Sequence, residues 1–164
     1  MLTGGVVLLG LIAAGLASFT VMVTRRIETR YPPAGLRVEM GGGAIHVLEQ
    51  PAKGERRGAV LLIHGASGNA FDMFVALADR LASSGFRVLS IDRPGHGWSD
   101  RIGGRAVSSP VAQAGLIRRA AEELGADRVI VAAHSLGAIT GLALALDHPE
   151  FVRGLALIAP VSHP

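Results

Sequence analysis

The sequence predicts an α/β protein, a mostly parallel sheet with helices on both faces. Three observations point there. Short strand-like runs at 59–63, 87–91, 128–132 and 154–159 alternate with helix-length amphipathic segments. Alternation of that kind demands crossover connections and hence parallel strands. Each of these runs also ends in a polar or glycine-rich segment, where such sheets collect their chemistry.

The elements follow in chain order. Residues 1–24 carry no charged side chain, and the stretch from Val6 to Val23 is long enough to cross a bilayer core of about 30 Å. Arg25, Arg26 and Arg30 come next, the flank of a single-pass anchor whose C-terminal side, with the rest of the chain, stays cytoplasmic. The alternative is a secretory signal peptide, for which Gly15-Leu16-Ala17 offers small residues at a cleavage point. It would make the rest of the chain secreted or periplasmic, although the positive n-region of such a peptide is missing. Residues 25–43 read as a linker, in which Tyr31-Pro32-Pro33-Ala34-Gly35 is unable to be helical. Residues 44–164 form the α/β core.

Within that core, 44–49 alternates apolar and polar residues, Ile45 and Val47 against His46 and Glu49, and predicts a strand on the edge side of the sheet. After a charged turn comes the apolar run 59–63, suited to burial on both faces. Asn69 caps a helix that runs to Ser84, with Phe74, Leu77, Ala78 and Leu81 on one face and Gly85 as its stop. A strand at 87–91 precedes a helix opened by Ser109-Pro110 and ended by Gly125. Its buried face is Leu116, Ile117, Ala120 and Leu124. Strand 128–132, helix 136–146 and strand 154–159 complete the pattern.

Composition removes several functional classes. Without cysteine, neither disulfides nor thiolate metal sites are possible, and no cofactor or metal is expected. The formal charge of +3 comes from arginines scattered along the chain, with one Tyr, one Trp and five Phe beside them. A nucleic-acid surface would cluster its charge and supply stacking platforms, so nucleic acid is not an expected partner. Composition says nothing about oligomeric state.

The chemistry concentrates at Ala133-His134-Ser135-Leu136-Gly137, between an apolar run and a helix. A serine at a strand-to-helix joint, with small residues two positions away on each side, reads as a nucleophile elbow. A turn that tight tolerates no bulk at the flanking positions, and the helix start aims free N–H groups at the serine. The plainer reading is a helix-capping serine. The other strand exits are His64-Gly65-Ala66-Ser67-Gly68-Asn69 and the segment from Asp92 to Asp100.

Together these segments resemble the N-terminal half of the α/β-hydrolase superfamily, over residues 44–164. Leu62-Ile63-His64-Gly65 is similar to the strand and His-Gly turn that supplies the oxyanion loop. The run from Asp92 to Ser99 is similar to the Asp-Arg-x-Gly-x-Gly-x-Ser stretch, and His148-Pro149-Glu150-x-Val152 follows the elbow helix as it commonly does in that family. The one departure is Ala133 in place of the elbow's first glycine. The resemblance implies a serine hydrolase with Ser135 as nucleophile, the N–H groups of Ala66 and Leu136 as oxyanion hole, and a small-molecule ester or other acyl substrate.

Other residues have quieter expected roles. His64 and Gly65 support the oxyanion loop, while His96 and Trp98 border the pocket or brace its loop. His134 points back into the protein, and Asp92 braces its loop through Arg93 or backbone N–H groups. His46, Asp100 and His148 read as surface or turn residues. The family places an acid and then a histidine after the nucleophile, on later strand exits. The 29 residues after Ser135 hold Asp147, Glu150, His148 and His163, none of them at such an exit except His163 just past the last strand. The expectation is an N-terminal fragment, with a non-catalytic binding or scaffold module as the alternative.

Overall fold

The computed structural model describes residues 2–161 and divides into two compact units, Met1–Ala34 and Gly35–Pro164. The first is one helix, α1 (Leu2–Arg30). Its stretch Gly4–Arg30 has a mean hydropathy of 2.5 and no part of it is buried, which makes it long and apolar enough to cross a membrane. It stops at Tyr31, ahead of Pro32, as the restriction on a residue preceding proline requires.

The second unit is a six-stranded sheet with three helices. Its strands are β1 (Leu36–Glu39), β2 (Ala44–Gln50), β3 (Gly58–Ile63), β4 (Phe86–Ile91), β5 (Val129–His134) and β6 (Val152–Ile158). Its helices are α2 (Ala70–Ser83), α3 (Pro110–Glu123) and α4 (Gly137–Asp147). The strands lie in the order β1-β2-β4-β3-β5-β6. β1 with β2 and β2 with β4 are antiparallel, and the remaining pairs are parallel. Helices therefore cover both faces. Val60, Leu62, Val88 and Ala132 point to the α2 side and pack with Met73 and Ala78. Leu61, Ile63, Leu89, Ile91, Val131 and Ala133 point the other way, onto Leu116, Ile117 and Ala120 of α3 and Leu144 of α4. Period-2 alternation decides which side chain goes where.

The start of α2 shows how sequence sets a boundary. The Asn69 side chain accepts from the Phe71 N–H at 2.8 Å, and the Asp72 carboxylate accepts from the Asn69 N–H at 3.1 Å. Such a reciprocal cap satisfies donors that the helix itself leaves open. Gly85, at φ 86°, ends the helix.

Two expectations are corrected here. The stretch 25–43 is not all linker, because α1 continues to Arg30 and β1 occupies Leu36–Glu39. Four residues with only Val38 buried are too short to show a period. Consequently β2 is not at the edge. β1 covers it, and Ala44 through Leu48 are all buried, including His46, which the sequence places at the surface. A short 3₁₀ helix, Gly104–Ser108, has no counterpart among the predicted elements.

Candidate active site

Three strand exits meet at one end of the sheet. β5 gives way to α4 through Ser135, whose φ of 51° lies in the left-handed region. Few non-glycine residues adopt it, and it costs backbone energy where they do. The surroundings impose the bend. The Ser135 N–H donates to the Ile158 carbonyl at 3.0 Å, and the Ser135 carbonyl accepts from the Ala138 N–H at 3.0 Å. Gly137 rests on the end of β3, where a Cβ would strike the His64 and Ile63 carbonyl oxygens. Gly65 faces the serine, and a Cβ there would come within 3.1 Å of the Ser135 Cβ.

Ala133 is accommodated from the next turn of the helix. A Cβ on Gly141 would lie 2.8 Å from the Ala133 Cβ. The methyl that replaces a glycine before the serine thus fills space that Gly141 leaves open.

The second exit carries His64 and Gly65. His64 is 1% exposed. Its Nε2 accepts from the Arg93 N–H at 2.9 Å, so its Nδ1 carries the proton and donates to the Gly65 carbonyl at 2.8 Å. Burial, opposed by the Gly65 hydrogen bond and aided by the Arg93 charge, lowers its pKa to about 4. The imidazole is neutral at pH 7 and both nitrogens are occupied.

The third exit is organised by Asp92, which is 1% exposed. Its carboxylate accepts from the Ala70 N–H at 2.6 Å, the Trp98 N–H at 2.9 Å and His46 Nδ1 at 2.8 Å. Burial raises its pKa, but the bonds from His46, Trp98 and Ala70 outweigh that and hold it below the usual carboxylate value. Gly97 is obligatory beside it, since a Cβ there would overlap the carboxylate. Asp92 thus ties the start of α2 to its own loop through backbone N–H groups. Arg93, 3% exposed, donates to the Gly65 carbonyl at 3.0 Å and to Gln113 Oε1 at 3.1 Å, and lies 3.3 Å from His96 Nε2. Burial pulls its pKa below the ordinary guanidinium value. The His96 ring also meets His64 edge-on, with centroids 5.4 Å apart.

The structure brings Ser135, Gly65, His134 and His64 together, with Arg93 and His96 behind the Gly65–Ala66 segment. Ala66 and Leu136 are exposed, and among the described residues no backbone hydrogen bond uses either N–H. Trp98 enters through its backbone, its carbonyl accepting from Arg37 at 2.8 Å. His134 is corrected. It is exposed, because it follows Ala132 by two and so emerges on the α2 side beyond that layer, where its Nδ1 would meet a Cβ on Gly65 at 3.2 Å. His148 caps α4 at its far end, about 16 Å from the serine for a helix of this length. His163 lies outside the described residues. Among the described residues, the hydrogen bonds of His64 and His96 go to Gly65, Arg93 and Pro94, and His46 Nδ1 bonds Asp92; none of these bonds reaches Ser135.

Two contributors escape the sequence reading. His46 is a buried partner of Asp92, hidden by a strand too short to detect. Gln113 holds Arg93, and its signal was available: a polar residue in phase with the apolar stripe of Leu116, Ile117 and Ala120.

The family described as alpha/beta hydrolase fold matches residues 58–164. The chain belongs to this family. A 2-hydroxy-6-oxononadienedioate/2-hydroxy-6-oxononatrienedioate hydrolase of Klebsiella pneumoniae is 30% identical over 125 residues, covering 75% of this chain and 43% of that protein. The dihydrolipoyllysine-residue acetyltransferase component of an acetoin cleaving system from Cupriavidus necator is 36% identical over 110 residues, covering 66% of this chain and 28% of that protein. The crystal structure of a probable hydrolytic enzyme from Pseudomonas aeruginosa superposes with a TM-score of 0.70 at 28% identity, over 80% of this chain and 42% of that one. The chain thus spans less than half the length of these relatives.

Proposed function

We propose that this chain carries the nucleophile and oxyanion elements of a membrane-anchored serine hydrolase that cleaves an ester or related acyl bond. The observation that carries the reading is the Ser135 backbone. A serine held at φ 51° between a strand and a helix, with Gly65 packed against it and Gly137 against the end of β3, costs conformational energy that a helix cap does not require. In this reading Ser135 Oγ attacks the substrate carbonyl, and the N–H groups of Ala66 and Leu136 receive the negative charge that develops on its oxygen. The resulting acyl-enzyme is then hydrolysed by water. The attack requires a base to take the serine proton and an acid to orient that base. α1 is the anchor, with Arg25, Arg26 and Arg30 on its cytoplasmic side.

The test is labelling of the protein, in membranes from cells that express its gene, with a fluorophosphonate probe. Labelling that disappears in Ser135→Ala supports the reading. Equal signals from the two proteins would sink it. Retention of the protein in the pellet after alkaline carbonate, and release by detergent, tests the anchor. A mature N-terminus near Ser18 would mean a cleaved signal instead. A second reading, a tethered binding module without catalysis, is favoured by one observation: the histidines hydrogen-bonded around the site have other partners than Ser135.

A further inference from the structure

Arg93 is the most unusual group behind the site. It is 3% exposed, yet among the described residues none of its hydrogen-bond partners is a carboxylate: they are the Gly65 carbonyl, the Gln113 amide oxygen and the His96 ring. The neighbouring Asp92 carboxylate accepts from Ala70, Trp98 and His46, and among the described residues the buried Arg93 Nε has no hydrogen-bond partner. A buried guanidinium hydrogen-bonded only to neutral groups is costly to fold around. Bracing a loop needs no charge, and a neutral amide would do it. The Arg93 guanidinium and the His64 ring converge on one oxygen, the Gly65 carbonyl, at 3.0 and 2.8 Å.

That oxygen belongs to the Gly65–Ala66 peptide, which is trans like every other peptide bond described. In a trans peptide the N–H points opposite to the C=O. Two donors on the carbonyl therefore fix the direction of the Ala66 N–H, away from Arg93 and His64. They also draw electron density toward the oxygen and make that N–H a stronger donor, since hydrogen bonds in a chain polarise one another. Gln113 keeps the guanidinium in place. Its amide nitrogen donates to the Val107 carbonyl at 3.0 Å, which fixes the orientation of the amide and leaves Oε1 for Arg93.

We propose that Arg93 is a positioning residue for the oxyanion-binding peptide: it orients and polarises the Gly65–Ala66 amide so that the Ala66 N–H meets negative charge at Ser135. The proposal rests on Ser135 being the nucleophile, and its test separates the two. The full chain in detergent is compared as wild type, Arg93→Gln and Arg93→Lys, by fluorophosphonate labelling at several probe concentrations and by the ¹⁵N resonance of Ala66.

Arg93→Gln is expected to slow the maximal labelling rate by about 10- to 100-fold, the scale set by a displaced or weakened oxyanion donor, with the half-saturating probe concentration unchanged. Its Ala66 ¹⁵N resonance shifts upfield as the Gly65 carbonyl loses a charged donor. Arg93→Lys, which keeps the charge, shows smaller changes in the same direction. A purely structural role predicts loss of folded protein with no selective effect on Ala66. Folded Arg93→Gln with wild-type labelling and an unmoved Ala66 resonance overturns the proposal and leaves the nucleophile reading intact. If Arg93→Gln does not fold, Arg93→Lys decides by the same two readouts. If wild type labels no better than Ser135→Ala, the nucleophile reading fails on its own, and an unmoved Ala66 resonance would still remove Arg93's role.

Discussion

At the scale of single residues, the site is a set of backbone approaches that tolerate almost no added volume. Gly137 touches the His64 carbonyl, and neither backbone has room to retreat. Gly137→Ala is therefore expected to cost about 1–3 kcal/mol, as overpacking does, read as a lower urea midpoint. Gly141 and Ala133 form a compensating pair. Gly141→Ala alone should destabilise, and adding Ala133→Gly should recover part of the loss, with a coupling above about 0.5 kcal/mol in a double-mutant cycle. Additive effects would mean that the two methyl positions do not compete. His64 gives a pH prediction. Its pKa is about 4 folded against 6.5 for the ordinary group, so the unfolded chain binds the extra proton between those values. Its contribution is complete above pH 6.5 and is lost as pH falls toward 4, a difference of about 3 kcal/mol. Urea denaturation at pH 4.5 and 7 should show the slope, and His64→Gln should flatten it.

At the scale of elements, legibility followed chain length and local signals. The helix after Asn69 was readable to within a residue, because its cap, its apolar stripe and its closing glycine are all local. Asn69→Ala should lower stability by about 1 kcal/mol, measured by thermal denaturation, and an unchanged melting temperature would deny the cap its role. β1 was illegible for the opposite reason, since four residues with one buried side chain carry no period. That omission turned His46 from a buried partner of Asp92 into an apparent surface residue. His134 was misplaced because its direction depends on how far α2 extends over the sheet, which no local pattern records. The tight turn at Ser135 was legible because small residues are forced there by contact with β3.

At the scale of the whole molecule, the sheet order was not readable, although its mostly parallel character was. Sequence shows which runs are strands, but β3 sits between β4 and β5 through long-range pairing alone. The molecule also presents apolar surface: Ile139, Leu142 and Leu146 on α4 are exposed, Leu146 to 71%, together with Leu157 and Ile158 of β6. β6 stands at the end of the strand order, and an apolar edge of that kind invites association. Leu142→Glu combined with Leu157→Lys should reduce concentration-dependent self-association in detergent-free sedimentation of residues 35–164. Unchanged sedimentation would show that this face is innocuous.

The bond from the Ser135 N–H to the Ile158 carbonyl has a consequence in time. A chain emerging from the ribosome presents Ser135 well before residue 158 is synthesised, and domains gain structure as their N-terminal parts appear first. Until β6 has emerged and paired, the strained turn lacks one of the bonds that hold it. The geometry of the turn is therefore complete only once translation has passed residue 158 and the last strand has joined the sheet.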